Sequence, residues 1–287
     1  MKVSVLEPSG YCAGVEHAMK IAIQTKKKNP SKRVVVLGML VHNEDSLKEL
    51  EKHGIKTIYK QNCSYEQLVD EIKEPSIVIL TAHGHAKSLE EKLVKSGHEI
   101  VDATCPFVKQ SFVSIIEAIR SGKEVFYIGV KNHPEAIAAL SLSDKVHLID
   151  IKDPKIPIIN NKSPIVISQT TLSKFEVKEL CGRISKIYPE VKFLDGICNA
   201  STKRQEALMN LEDDVDLVYV VGGLNSNNSK TLFNLASKLY PAKIIKLIQN
   251  AEDINKKDLI GLSHIAISSG ASTPKEVINQ IKDKLSN

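Results

Sequence analysis

Short β-branched and aliphatic runs alternate with amphipathic stretches along the chain, which is the pattern of a parallel α/β layout. Twelve runs read as strands, near residues 2–6, 34–38, 55–59, 77–81, 99–103, 124–129, 145–149, 164–168, 191–195, 215–221, 243–248 and 264–268. Between them apolar residues recur at helical spacing. After Cys12 the stripe is Val15, Ala18, Met19, Ala22 and Ile23, and after Cys105 it is Val108, Phe112, Ile115, Ile116 and Ile119. After Cys198 it is weaker, with Ala207, Leu208 and Leu211. Each of these helices opens a set of strands. The third set lacks a fourth strand, which residues 2–6 can supply.

The cysteines share this period. Cys105 lies 93 residues after Cys12 and 93 before Cys198. Each follows a short apolar run and precedes a helix. The expected fold is therefore α/β, with three pseudo-symmetric α/β domains, each built on a mainly parallel four-stranded sheet. Their expected spans are 13–104, 105–197 and 198–287, the last completed by residues 1–12. Three copies would deliver three thiols to a common place. Such a centre suits zinc or an iron-sulfur cluster and leaves one metal position open. No C-x2-C pair is present to choose between them.

Polar residues recur at matching strand ends. After the first strand of each set come Val41-His42-Asn43, His133-Pro134-Glu135 and Asn225-Ser226-Asn227-Asn228. The third strands run into Thr81-Ala82-His83-Gly84, Ser168-Gln169-Thr170-Thr171 and Ser269-Gly270-Ala271-Ser272. Open α/β sheets bind ligands beyond the carboxyl ends of their strands, where all of these fall. Histidines, amides and hydroxyls beside helix starts, with Glu135 as the one carboxylate among them, describe a pocket for a phosphorylated or otherwise acidic small molecule.

Composition narrows the classes. The chain has 287 residues, 42% of them hydrophobic, enough for real cores. No run approaches the roughly 18 apolar residues of a membrane span. Strand character from residue 2, with no charged-then-apolar leader, makes the cytoplasm the expected compartment. Five cysteines, an odd number, fit metal or catalytic use better than a disulfide framework. The run Lys26-Lys27-Lys28 falls at a helix end and has no aromatic residues interleaved, so neither nucleic acid nor membrane is an expected partner. Cys181, on an apolar face with Val177, Leu180, Ile184 and Ile187, reads as core. Cys63, Ser64, Ser173 and Thr273 read as packing and helix-cap residues, and His17, His53, His85, His98 and His147 have no counterparts in the other sets.

Taken together, Gly10-Tyr11-Cys12-Ala13-Gly14-Val15, Val41-His42-Asn43, Ala82-His83-Gly84, Asp102-Ala103-Thr104-Cys105-Pro106, His133-Pro134-Glu135, Ser168-Gln169-Thr170-Thr171-Leu172, Asn225-Ser226 and Gly270-Ala271-Ser272 resemble the 4-hydroxy-3-methylbut-2-enyl diphosphate reductases, in order and over essentially the whole chain. The resemblance implies reductive dehydroxylation to isopentenyl and dimethylallyl diphosphate in the non-mevalonate isoprenoid route. It implies a 4Fe-4S cluster with one open iron site, held by Cys12, Cys105 and Cys198. It also implies substrate contacts from His42, His83, His133, Thr170, Asn225, Ser226, Asn227, Asn228 and Ser272, with Glu135 as proton source aided by Thr170 and His133. His17 stands where the family often has arginine, and Asn227 where a second serine is common. An external one-electron donor such as ferredoxin or flavodoxin is implied. No G-x-G-x-x-G follows a strand, so direct NAD(P)H binding is not expected. From the residues alone, a three-cysteine zinc hydrolase and a non-catalytic metabolite sensor stand as the other classes.

Overall fold

The computed structural model describes residues 1–286. The chain opens with β1 (Lys2–Val5), α1 (Ala13–Lys28), β2 (Val34–Leu37), α2 (Glu44–Lys52), β3 (Lys56–Ile58), α3 (Tyr65–Val69), β4 (Ile77–Leu80), α4 (Lys87–Lys95) and β5 (Glu99–Asp102). It continues with α5 (Pro106–Arg120), β6 (Val125–Gly129), α6 (Pro134–Leu140), β7 (Val146–Asp150), β8 (Ile165–Ser168), α7 (Lys174–Ile187) and β9 (Lys192–Phe193). It closes with α8 (Asn199–Met209), β10 (Leu217–Val221), α9 (Asn227–Leu239), β11 (Ile244–Ile248), β12 (His264–Ser269) and α10 (Lys275–Ser286). Every expected strand forms. The expected run at 191–195 shrinks to the two exposed residues of β9, an edge strand with a neighbour on one side only, although the Leu194 N–H still reaches the Val166 carbonyl at 2.8 Å.

The strands make three four-stranded sheets, ordered β3-β2-β4-β5, β7-β6-β8-β9 and β11-β10-β12-β1, with every pairing parallel. All three follow one topology. The first strand of each set sits between the second and third, and the fourth lies outside the third. In the last sheet β1 takes that outer place beside β12, pairing Lys2 with His264 through Val5 with Ile267. The strand order therefore reverses between the first and third strands of each sheet, and beyond that point the loops diverge and leave room for a ligand.

The central strands β2, β6 and β10 are buried along their whole length, as parallel strands covered on both faces must be. Alternation sorts their side chains. In β6, Val125 and Tyr127 join Ile115, Ala118, Ala136 and Ala139, while Phe126 and Ile128 face Leu180 and Ile184. In β10, Leu217, Tyr219 and Val221 pack with Ile278 and Ile281, and Val218 and Val220 with Leu208 and Leu232. Two compact units result. One comprises Met1–Glu16, His42–Lys48 and the chain from Cys198 onward, and carries the sheet β11-β10-β12-β1; the other comprises His17–Val41 and Glu49–Ile197 and carries the other two sheets. No helix among the described residues is long and apolar enough to cross a membrane.

Because β1 covers the outer edge of β12 and packs Val3 and Val5 against the adjoining core, a protein lacking residues 1–6 should lose at least about 3 kcal/mol of stability. Denaturant unfolding measures it, and a midpoint equal to the parent's would show that this strand contributes nothing.

Candidate active site

Each of the three cysteines stands at the start of a helix. Their carbonyls accept the first helical bonds, from Glu16 N–H to Cys12 at 2.9 Å, Lys109 N–H to Cys105 at 3.0 Å and Thr202 N–H to Cys198 at 3.0 Å. Cys105 and Cys198 are the N-cap residues of α5 and α8, and the Cys198 sulfur accepts from the Ser201 N–H at 3.4 Å. Two of the cysteines are also pinned from behind. Cys12 N–H donates to the Ala271 carbonyl at 2.9 Å and Cys105 N–H to the Ala82 carbonyl at 3.0 Å, each acceptor lying two residues past the third strand of its sheet. The free N–H groups and positive dipole end of a helix start favour a thiolate. All five cysteines are partly buried. Cys63 packs against the core around Leu68 and Cys181 against that around Leu180, the structural roles expected for them, although Ile187, expected on the same apolar face as Cys181, is exposed.

Glu135 is 1% exposed, the second residue of α6. Its Oε1 accepts from the Thr170 N–H at 2.9 Å and the Tyr127 hydroxyl at 3.0 Å, and its Oε2 meets the Thr170 hydroxyl at 2.8 Å. Three donors favour the carboxylate, yet burial outweighs them and pushes its pKa up to about 7. With Oε1 already accepting two bonds, the proton belongs on Oε2, facing the Thr170 hydroxyl. His133 caps α6, its Nδ1 accepting from the Glu135 N–H at 3.2 Å, which leaves Nε2 as the protonated nitrogen. The His83 ring meets the His133 ring edge-on with centroids 5.5 Å apart. Gly84, next in the chain, has a φ of +83°, and a β-carbon there would lie 2.6 Å from the Phe112 ring.

The other unit repeats part of this pattern. Ser226 caps α9, accepting from the Ser229 N–H at 3.3 Å. Asn228, second residue of its helix as Glu135 is of α6, accepts from the Ala271 N–H at 2.9 Å and donates to the Ser201 hydroxyl at 3.2 Å. Glu135 and Asn228 thus make the same bond in two sheets, from the second helical residue to the backbone two places past the third strand. Ser272 donates to the His42 carbonyl at 3.4 Å, and Gly223 passes so close to that carbonyl that a β-carbon would lie 2.4 Å from it. Burial, helped by the charge of Lys230, lowers the His42 pKa to about 4, so the ring is neutral near pH 7. Asn225 is exposed and Asn227 half-buried. His17 is exposed on α1, and the Thr273 hydroxyl, expected as a cap, donates to the Val221 carbonyl at 2.8 Å.

Two buried residues whose side chains bond to these loops or to Glu135 escaped sequence reasoning. Tyr127 was hidden as one more apolar strand residue, although a buried tyrosine hydroxyl calls for a partner. Arg204 lies four and seven residues before Leu208 and Leu211, on the buried face of α8, and a charged residue in an apolar stripe was the available signal.

A family model described as LytB protein matches residues 3–286. The chain is 37% identical to the 4-hydroxy-3-methylbut-2-enyl diphosphate reductase of Malacoplasma penetrans, over 98% of this chain and 96% of that one. It is 31% identical to the protein of the same name from Aquifex aeolicus, over 99% and 95%. Its fold matches the solved structure of the E-1-hydroxy-2-methyl-but-2-enyl-4-diphosphate reductase from Plasmodium falciparum with a TM-score of 0.88 at 27% identity, covering 100% of this chain and 88% of that one. A second solved structure, described as (E)-4-hydroxy-3-methyl-but-2-enyl diphosphate reductase, the terminal enzyme of the non-mevalonate pathway, gives 0.67 at 31% identity, covering 100% and 99%.

Two titrations test the electrostatics. The Tyr127 hydroxyl stabilises the Glu135 carboxylate, so Tyr127→Phe should raise the Glu135 pKa above about 7, read from the pH dependence of a 13C-labelled glutamate carboxyl signal; a fall would contradict the assignment. His42 titrates near 6.5 unfolded and about 4 folded, so as pH falls from about 6.5 to about 4 the unfolded chain takes up its proton first and stability is lost. His42→Asn should remove that part of the loss, seen by comparing denaturant midpoints at pH 7 and pH 4.5; an unchanged difference would mean that His42 is not held neutral.

Proposed function

This chain belongs to the LytB family, an oxidoreductase family, and from that premise we propose that it reduces 4-hydroxy-3-methylbut-2-enyl diphosphate to isopentenyl and dimethylallyl diphosphate at a 4Fe-4S cluster held by Cys12, Cys105 and Cys198. The donor set fits that group. Three thiols at equivalent helix starts can supply three thiolates in a field that favours anions, and three protein ligands leave one iron for substrate. When bound, the cluster supplies single electrons and a Lewis acid at the carbon to oxygen bond that breaks. A reducing compartment such as the cytoplasm suits these ligands.

The overall change consumes two electrons and two protons. One proton leaves with the hydroxyl as water and the other goes to the allylic fragment. The electrons come from a one-electron donor of the ferredoxin or flavodoxin class, because the chain carries no nucleotide fingerprint.

The chain's own residues bind, orient and protonate. His42, His83, the Nε2–H of His133, Ser226, Asn227 and Ser272 are donors for the diphosphate, with Asn225 at the rim and the start of α9 favouring negative charge. A bound anion favours the charged imidazole, so the pKa of His42, about 4 without ligand, should rise and substrate binding should take up protons on the acidic side of neutral. Asn228 braces the loop that presents Ser226. Glu135 holds its proton at Oε2, 2.8 Å from the Thr170 hydroxyl, which can receive it and pass its own on to substrate.

The observation that carries this reading is that buried pair of Glu135 and Thr170, a carboxyl kept protonated to about neutral pH with one exit for its proton. Glu135→Gln keeps the shape and lacks the acidic proton. It should retain the cluster spectrum, bind substrate within about tenfold of the parent, and lose turnover by roughly 10²- to 10⁴-fold with an artificial one-electron donor under anaerobic conditions. Near-parental turnover would remove Glu135 as the proton source.

A further inference from the structure

Arg204 is 2% exposed and has no part in the proposed reaction. Its Nε donates to the Ser269 carbonyl at 3.0 Å and a terminal nitrogen donates to the Gly10 carbonyl. Both acceptors are neutral backbone groups. Burial pulls its pKa below the usual arginine value, and the charges opposing that fall are those of Cys12 and Cys198, then Glu7. The Glu7 carboxylate is itself held by the Ser9 N–H at 2.8 Å and the Ser9 hydroxyl at 3.0 Å. A guanidinium does not lose its proton in a protein, and a buried cation is costly unless negative charge lies close by.

The location answers what that charge faces. Gly10 is two residues before Cys12, and Ser269 ends β12, whose following loop holds the Cys12 N–H through Ala271. Arg204 lies six residues after Cys198 on the same helix, about 9 Å along the axis, and helical side chains lean toward the N-terminus and so toward that cysteine. The positions six residues past the other two cysteines are Ala18 and Ser111, both buried. The cation is peculiar to the set in which one unit holds two of the thiols.

We infer that Arg204 is a positioning residue for the cluster thiolates: it fastens the Cys12 segment to the helix that Cys198 caps, and its fixed positive charge raises the reduction potential of the cluster they hold. The inference rests on the cluster assignment proposed above. Entry of one electron from the external donor breaks no bond and makes the cluster with its thiolates more negative by one charge. A nearby cation favours that reduced state.

The test compares Arg204→Met, which removes charge and both bonds, with Arg204→Lys, which keeps the charge but not the fork. The midpoint potential comes from redox-poised electron paramagnetic resonance on the anaerobic holoprotein, and cluster retention from the rate of loss to an iron chelator. Arg204→Met should make reduction at least tenfold less favourable, a negative shift of about 59 mV for one electron. Arg204→Lys should keep most of the parent's potential, and both variants should lose the cluster several-fold faster. A parental midpoint in Arg204→Met overturns the charge role. Should that variant hold no cluster, Arg204→Lys decides: a parental loss rate there overturns the fastening role, and a faster one supports it. A parent protein without a cluster would remove the functional reading and this inference together, whereas a loaded parent with an unmoved Arg204→Met midpoint and parental cluster loss in both variants removes this inference alone.

Discussion

The backbone two residues past the third strand is the hub on which each set of elements depends. Ala271 gives its N–H to Asn228 and takes the Cys12 N–H on its carbonyl, both at 2.9 Å. Thr170 gives its N–H to Glu135 at 2.9 Å, and Ala82 takes the Cys105 N–H at 3.0 Å. Parallel register sets the height of this hub, because the first and third strands end level at Leu37 with Leu80 and Val221 with Ser269, and within one residue in the second sheet, where Ile128 pairs with Ser168 and β6 runs on to Gly129. This short stretch of backbone thus joins the helix after the first strand in two of the sets and the cysteine after the fourth strand in two, with Ala271 doing both. Peptide groups here are buried and must be paired, so the chain satisfies its own hydrogen bonds with the segments that carry chemistry.

Two side chains at one structural position show how chemistry enters such a frame. Asn228 is neutral and buried, with its amide N–H on Ser201 and its amide oxygen on Ala271. Glu135 makes the same backbone bond, but its second oxygen faces a hydroxyl, and burial costs its anion more than three donors return. The same contact is therefore mainly structural with an amide, and with a carboxyl it holds a group whose pKa lies at about 7. Neutral His42 and the N-capping His133 follow the same logic, since local bonds and burial set their protonation before any ligand arrives.

Much of this was legible in the sequence, because β-branched runs and a 93-residue cysteine period are direct consequences of strand geometry and repetition. The missing fourth strand of the last set could be assigned to residues 2–6 by that same count. Polar residues at strand ends pointed to the loops at the order reversal. What stayed hidden depends on three-dimensional burial. Tyr127 looks like any other residue of a buried strand until its hydroxyl is seen on Glu135. Arg204 looks like a surface cation until Gly10 and Ser269 close over it. The length of β9 was overestimated because an edge strand takes its length from the neighbour it pairs with rather than from its own propensity.

If the repeat exists to present three thiolates, the cysteines in register should behave alike and the two outside it should not matter. The Mössbauer spectrum of the anaerobic, 57Fe-loaded protein measures this for the parent and for each cysteine in turn. The expected result is a four-iron cluster with one distinguishable iron in the parent, in Cys63→Ala and in Cys181→Ala, and its loss or degradation in Cys12→Ser, Cys105→Ser and Cys198→Ser. A full cluster in any of those three serine variants, or its disappearance from Cys63→Ala or Cys181→Ala, would contradict the assignment.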